Sequence, residues 1–451
     1  MASWFMLCLV LPMLVTQTES VKNYASALGK SILFYAAQRS GKLPANNPIP
    51  WRGDSALNDC VVGGWYDAGD HLKFGSTMEY TTTILLWSMY KWKDSYVKAG
   101  QLTQAYDMVK WPLDYFLKAW NSTAHEFVFQ VGGDADHHYW GRPEDMTMAR
   151  PCKKADIAHP RSDIEGGTAA ALAVGSLVFK DKGDTAYSTQ LLTAAESLYK
   201  FANDHKSTDS YKDEICEAGV WLYRATGRAQ YLNEAKANAE SGYIWAYQTA
   251  DKRLACHQLL YEETHDTVQR NGVIDYFNAW FPGGSIHYTP CGLAWAMKWG
   301  SLRLAANSAF VALLAAEAGI QTDRYRTWAV EQINYILGDN PHDGGCYSYQ
   351  IGYGSKYPLR PHHRAASCPN KPAPCGSAEA TSPAPNPHVL TGALVGGPAE
   401  HDDYVDVRTD YVLNEVAIDY NSGFTGALAG IVHLQNTNHM PTTHNKCPCN
   451  N

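Results

Sequence analysis

Two aspartates three residues apart, Asp67 and Asp70, sit in the stretch Gly63-Gly64-Trp65-Tyr66-Asp67-Ala68-Gly69-Asp70-His71-Leu72-Lys73-Phe74. Three glycines in so short a span disfavour a regular helix or strand, because each costs backbone entropy there. A loop therefore presents both acids, and Gly69 lets its backbone approach another group closely. Such a loop suits a hydrolytic site that must hold a water molecule. One carboxylate can take the water's proton while the other fixes its position. A competing reading makes it an Asx-turn loop whose aspartates cap local amides.

A second group of acids and aromatics lies near the other end of the chain: Tyr404, Asp406, Tyr411, Glu415, Ala417, Asn421 and Ser422. Glu415 stands where a loop passes into a helical run, beside Asn414 and between Tyr411 and Tyr420. An aromatic, partly dry setting near other carboxylates raises a carboxyl pKa and keeps the group protonated near neutrality, as a general acid requires. The plainer alternative is a glutamate favoured at a helix N-terminus by the helix dipole. Between the two regions, Gly352-Tyr353-Gly354 precedes Pro361-His362-His363-Arg364.

In order and spacing these three motifs resemble those of family 9 glycoside hydrolases, the inverting cellulases, and together they span the chain from Gly63 to Ser422. The resemblance implies an all-α (α/α)6 barrel of about twelve helices with long functional loops. It implies Asp70 as general base, Asp67 as its partner in holding water, and Glu415 as general acid. His362 joins this catalytic group, and Asp406 orders the site through hydrogen bonds. Arg364 matches a substrate-binding arginine. Asp136-His137-His138-Tyr139-Trp140 resembles a subsite element in which His137 and Trp140 contact glucan, and Trp299, Arg303 and Tyr420 match further cleft positions. An aromatic face stacks on a sugar ring while His and Arg donate to hydroxyls, although a single Trp is more often core. The same likeness implies a structural calcium held by Asp213, Glu214 and Asp251, whose carboxylates are hard oxygen ligands. Read plainly, Asp213-Glu214 is a capped helix start. No cofactor is required for the chemistry. Three positions depart from the family pattern: Glu217, Leu304 and Thr249 stand where aromatics are common, which predicts weaker stacking.

The elements that must position these residues are helical. Ala25, Leu28, Ile32, Leu33 and Ala36 recur at three- and four-residue spacing. Further helical runs are expected over 82–92, 106–120, 167–179, 187–203, 218–226, 231–247, 253–262, 293–318, 327–337 and 415–434. Several, such as Ala169 to Val174, are apolar nearly all round and so must be buried on more than one side. No convincing strand alternation appears. Two regions break the rhythm: 40–74, and 339–400 with its ten prolines. Long ordered loops in compact domains usually carry function.

The chain has 451 residues, 12% aromatic, with formal net charge −8. That balance argues against nucleic acid as a partner. Residues 1–20, with an apolar run from Phe5 to Val15, read as a secretory signal peptide before a single catalytic domain, 21–451. No later segment is apolar enough for a membrane span. Ten cysteines remain after Cys8, an even number that fits disulfides in a secreted chain. Cys368 and Cys375 are the first candidate pair, and Cys447-Pro448-Cys449 would tie down the C-terminus. The expected protein is a secreted, monomeric endo-β-1,4-glucanase acting on β-1,4-glucan. Its alternatives are a glucan-binding protein of the same fold with vestigial catalysis, and a hydrolase redirected to mixed-linkage glucan or glucomannan.

Overall fold

The computed structural model describes residues 22–207 and 210–449; the expected signal segment lies outside them. Among the described residues, twelve helices of ten or more residues alternate between an inner and an outer ring. The inner six are Gly75–Lys91, Ser162–Asp181, Lys212–Thr226, Arg253–Thr264, Ser301–Glu317 and Ile418–Asn436. Each packs against the next, and the last returns to the first, so the ring closes. The outer partners are Tyr24–Ala37, Leu102–Ala119, Thr185–Asp204, Ala229–Asn238, Thr267–Trp280 and Thr322–Ile336. This is the expected (α/α)6 barrel.

Composition explains which helix goes where. Ser162–Asp181 is buried almost continuously from Ile164 to Phe179, with alanines and glycines allowing neighbours on both sides. Gly75–Lys91 is likewise buried from Met78 to Met89. Thr185–Asp204 instead buries one face, Tyr187, Leu191, Ala195, Leu198 and Ala202, and leaves the other to solvent.

The connections divide by face. At the C-terminal ends of inner helices four are short, 182–184, 227–228, 265–266 and 318–321, and the fifth, 92–101, holds the small helix Lys93–Lys98. At the N-terminal ends five of the six are long, 38–74, 120–161, 239–252, 281–300 and 337–417, and the sixth, between Asp204 and Lys212, is short. Every candidate site residue lies on or beside this long-loop face.

The helical expectations need three corrections. Thr267–Trp280 was not anticipated; its polar, glycine-broken sequence buries only Val273, Tyr276, Phe277 and Trp280. Its Asp266 N-cap, which accepts from the Val268 amide, was the available signal. The run over 231–247 stops at Asn238, and the run over 293–318 begins only at Ser301, because Ala294–Trp295 pairs as a strand with His287–Tyr288. Strands also exist among the loops: Glu126–Val131 pairs antiparallel with Lys73–Phe74, Trp120–Asn121 and Cys152–Ala155.

Five disulfides join all ten cysteines of the described residues: 60–152, 216–256, 291–447, 346–449 and 368–375. The 368–375 pair matches expectation. Cys447 and Cys449 both anchor the C-terminal tail, and Cys216–Cys256 staples two neighbouring inner helices.

Candidate active site

The Asp67–Asp70 loop is held at both ends. Lys73 and Phe74 enter the small sheet opposite Val131 and Gln130, and the Asp67 amide donates to the Leu72 carbonyl at 2.9 Å. A Cβ on Gly69 would overlap the carbonyl oxygen of His362, so only glycine permits this approach. The Arg364 amide donates to the Gly69 carbonyl (3.0 Å), and the Ile418 amide to that of Asp67 (2.8 Å). Backbone bonds thus bring together motifs that lie some 300 residues apart in sequence. Gln38, from the end of the first helix, reinforces the join. Its Nε2 donates to the Tyr66 and Ala68 carbonyls, while its Oε1 accepts from His363 Nε2 at 2.8 Å. His363 Nδ1 accepts from the Ala366 amide, so this buried imidazole is a neutral Nε2–H tautomer. Burial holds its pKa well below the usual value.

Glu415 lies in the neighbouring extended segment between Tyr411–Asn414 and Ile418–Asn436. The His362 amide donates to the Asn414 carbonyl at 2.9 Å, and His362 and Glu415 pair as a parallel bridge. Glu415 Oε2 accepts from Trp299 Nε1 (2.8 Å) and from the Tyr420 hydroxyl (3.2 Å). Burial raises the Glu415 pKa against these two donors, and the charges of Asp70 and Asp419 raise it further. Arg303 stacks on Tyr420 at 4.8 Å and is ion-paired to Asp419 at 2.9 Å. His362 Nδ1 donates to the Arg408 carbonyl (2.7 Å), which leaves Nε2 as an acceptor; burial lowers its pKa and keeps it neutral.

Asp67 and Asp70 are electrostatically unequal. Burial, then Asp136, pushes the Asp70 carboxyl up to about 6, while Arg364 and His137 pull it back. Asp67 is raised well above its usual value by burial and then by the charge of Asp70, despite accepting a hydrogen bond from Thr77 Oγ1. When two close carboxyls are pushed apart in this way, one ionises while the other keeps a proton. Here Asp70 is the one ionised near neutrality.

The other expected residues fall into two sets. Trp140 is half-buried, its Nε1 bonded to Ser367 Oγ at 2.9 Å and its ring 5.2 Å from that of His362. His137 is exposed, Arg364 is bound to Asp136, and Trp299 is 42% exposed with Tyr411 at 5.4 Å between ring centroids. These line the same face as the carboxylates. Asp406 does not meet the carboxylates; it accepts from the Leu359 and Arg360 amides (2.8 and 2.9 Å) and so orders the segment leading to His362.

The calcium set does not fit a cation as placed. Asp213 Oδ2 accepts from the Lys252 amide, Asp251 pairs with Arg253, and the buried Lys252 ammonium lies 3.6 Å from Glu214. Among the described residues no three acidic, His or Cys side chains converge to hold a metal. Of the three departures, Glu217 and Leu304 are buried, so neither side chain has a face open to a sugar; Thr249 is half-buried. Sequence reasoning overlooked Gln38, Thr77, Asp136 and Asp419. Only Asp136 stood inside a motif already singled out.

A family model for glycosyl hydrolase family 9 matches residues 24–428. Endoglucanase 4 of Bacillus sp. (strain KSM-522) is 42% identical over 91% of this chain and 68% of its own length. The endoglucanase structure from the termite Nasutitermes takasagoensis superposes with a TM-score of 0.88 at 45% identity, covering 92% of this chain and 100% of that one. The cellulase Cel9M of C. cellulolyticum, solved with cellobiose, gives a TM-score of 0.86 at 35% identity, covering 92% and 99%.

Proposed function

Because this chain belongs to glycosyl hydrolase family 9 and is an endoglucanase, we propose that it cleaves β-1,4-glucan with inversion, using Asp70 as base and Glu415 as acid. The observation that carries this reading is the split among the three carboxyls. Glu415 has its pKa raised while Oε2 is occupied by two donors, which leaves Oε1 to carry the proton for the leaving oxygen. Asp70 titrates at about 6 and is free to accept the proton of the attacking water. Asp67, its pKa raised by burial and by the charge of Asp70 and its carboxylate fixed by Thr77, orients that water. An acid on one side and a base on the other, with water between, is the inverting arrangement.

The exposed Trp299 and Tyr411 and the half-buried Trp140 supply ring faces for sugars, and Arg364 and neutral His362 supply polar contacts. Both proton transfers are made by side chains, so the reaction uses no cofactor. The calcium implied by the sequence likeness forms no part of this proposal, since its carboxylates are bonded within the chain. We read the enzyme as secreted and monomeric: five disulfides suit an oxidising compartment, and one chain holds every group named above. Among the described residues no helix is long and apolar enough to cross a membrane.

The test is Asp70→Asn, which keeps the shape and removes the base. Hydrolysis should fall by about 10²–10⁴-fold, and added azide should restore product as an α-glycosyl azide. Proton NMR of the wild-type reaction should show the α-anomer first; initial β-anomer would overturn inversion. Binding of glucan with no release of reducing sugar would favour the glucan-binding alternative.

A further inference from the structure

Asp136 ends the short 3₁₀ turn Asp134–Asp136 and is 1% exposed. Its Oδ1 accepts from the backbone N–H of His71 at 3.1 Å and from Arg364 Nη1 at 2.5 Å. Its Oδ2 is buried without a hydrogen-bond partner, 3.8 Å from Arg150 Nη1. One carboxylate therefore grips both the residue that follows Asp70 and the guanidinium of the neighbouring motif. Behind it, Asp59 binds Arg150 through Oδ1 and Lys73 through Oδ2, each at 2.7 Å. None of these five side chains is more than 9% exposed. Lys73, Arg150 and Arg364 supply three positive charges against two from Asp59 and Asp136. Water screens such a buried set poorly. Ionised Asp70 supplies the third negative charge and balances it.

We propose that Asp136 is a positioning residue of the hydrolytic site: it fixes Arg364 against the Asp70 loop and sets the electric field in which Asp70 works. The proposal rests on the reading of Asp70 as base. The groups facing Asp70 are Asp67 on its own loop, Asp136 and His137 from the 134–140 turn, Arg364 beside Gly69, and Glu415 across the site. Asp136 is the largest of these influences and opposes ionisation; Arg364 is next and favours it. Removing the Asp136 charge leaves the cations unopposed, so Asp70 should hold its proton less tightly. The freed Arg364 should also lose its aim at substrate.

The experiment measures kcat and KM on a soluble cello-oligosaccharide from acid to alkaline pH, using the full chain with a melting curve for each variant. Asp136→Asn should move the acid limb of kcat/KM down by about one pH unit and raise KM. Asp136→Glu, which keeps the charge, should return the limb towards wild type even where kcat stays low. Arg150→Gln should move the limb the other way, and it carries the test if Asp136→Asn does not fold. A merely structural Asp136 would lower kcat at every pH and leave the limb where it was. An unmoved limb in Asp136→Asn, or shifts of the same sign in it and in Arg150→Gln, would overturn the proposal. Asp70→Asn separates the two claims: if that variant keeps wild-type activity, the base assignment fails and takes this proposal's premise with it, whereas an inactive Asp70→Asn beside an unmoved limb in Asp136→Asn overturns the role of Asp136 alone.

Discussion

Gly69→Ala is the smallest change that should pull the catalytic motifs apart. The added Cβ would overlap the His362 carbonyl oxygen and meet His363 Cα at 3.0 Å. Both obstacles are backbone, so no side chain can rotate out of the way. Ordinary contact begins near 3.4 Å, and the loop and strand must separate to reach it. The required movement is about 1 Å, a misplacement that costs on the order of 10²-fold in rate. The bond from the Arg364 amide to the Gly69 carbonyl stretches at the same time, and Asp70, one residue along, travels with the loop. The stability cost is smaller, about 1–3 kcal/mol for overpacking at one contact, which lowers the melting temperature of so large a domain by a few degrees. Initial rates on a soluble cello-oligosaccharide, paired with calorimetry, give both quantities. The expected result is a folded protein with kcat reduced about a hundredfold. A rate within a few-fold of wild type would refute the claim that this contact sets the position of the base, as would a loss that only tracks unfolding.

Trp299→Phe keeps a ring but removes the donor to Glu415 Oε2, so ionised Glu415 loses support and the alkaline limb of the pH–rate profile should move upward; a downward move would contradict the role given to that indole. Burial raises Glu79 to about 8 and Glu165 and Glu217 each to about 7. Their stabilising contribution is complete below the ordinary carboxyl value and is lost as pH climbs through about 7 to 8, so the melting temperature should fall from pH 5 to pH 8; a rise across that window would show these acids ionised in the folded state. Replacing Cys216 and Cys256 together with serine should destabilise the barrel by about 2–4 kcal/mol, read as a lower denaturant midpoint, and an unchanged midpoint would mean that packing alone holds those two helices.

Multiply buried helices were legible because several, such as Ser162–Asp181, are apolar nearly all round, whereas the (α/α)6 arrangement came from the family likeness, since helical periodicity does not choose a barrel over an irregular bundle. Thr267–Trp280 escaped because Gly272, packed against the His257 ring, and its polar neighbours hide the helical period. The strands escaped because they are short and their burial depends on loops that fold over them. Asp67, Asp70 and Glu415 could be found from residue type and motif spacing. Gln38, Thr77 and Asp419 could not, since each acts through a partner that only folding supplies: His363, Asp67 and Arg303. For Asp406 the family likeness implied an ordering role through hydrogen bonds, and the amides of Leu359 and Arg360 that donate to it make it an anchor for the segment that carries His362.

The unequal connections of the two barrel faces bear on how such an enzyme can change. Turns as tight as 227–228 and 265–266 leave no room for insertion without disturbing helix packing. The opposite face carries the long connections 120–161 and 337–417, buried in part, exposed in others, and tied down by disulfides 60–152 and 368–375. Lengthening or trimming those loops costs little entropy, because closure grows only slowly with length. Substrate preference can thus be rewritten on one side of the molecule while the tight turns of the other side stay fixed. A loop-shuffled library grafted onto this barrel should yield mostly folded proteins of varied glucan preference, whereas a library of equal size in the tight turns should yield mostly aggregates.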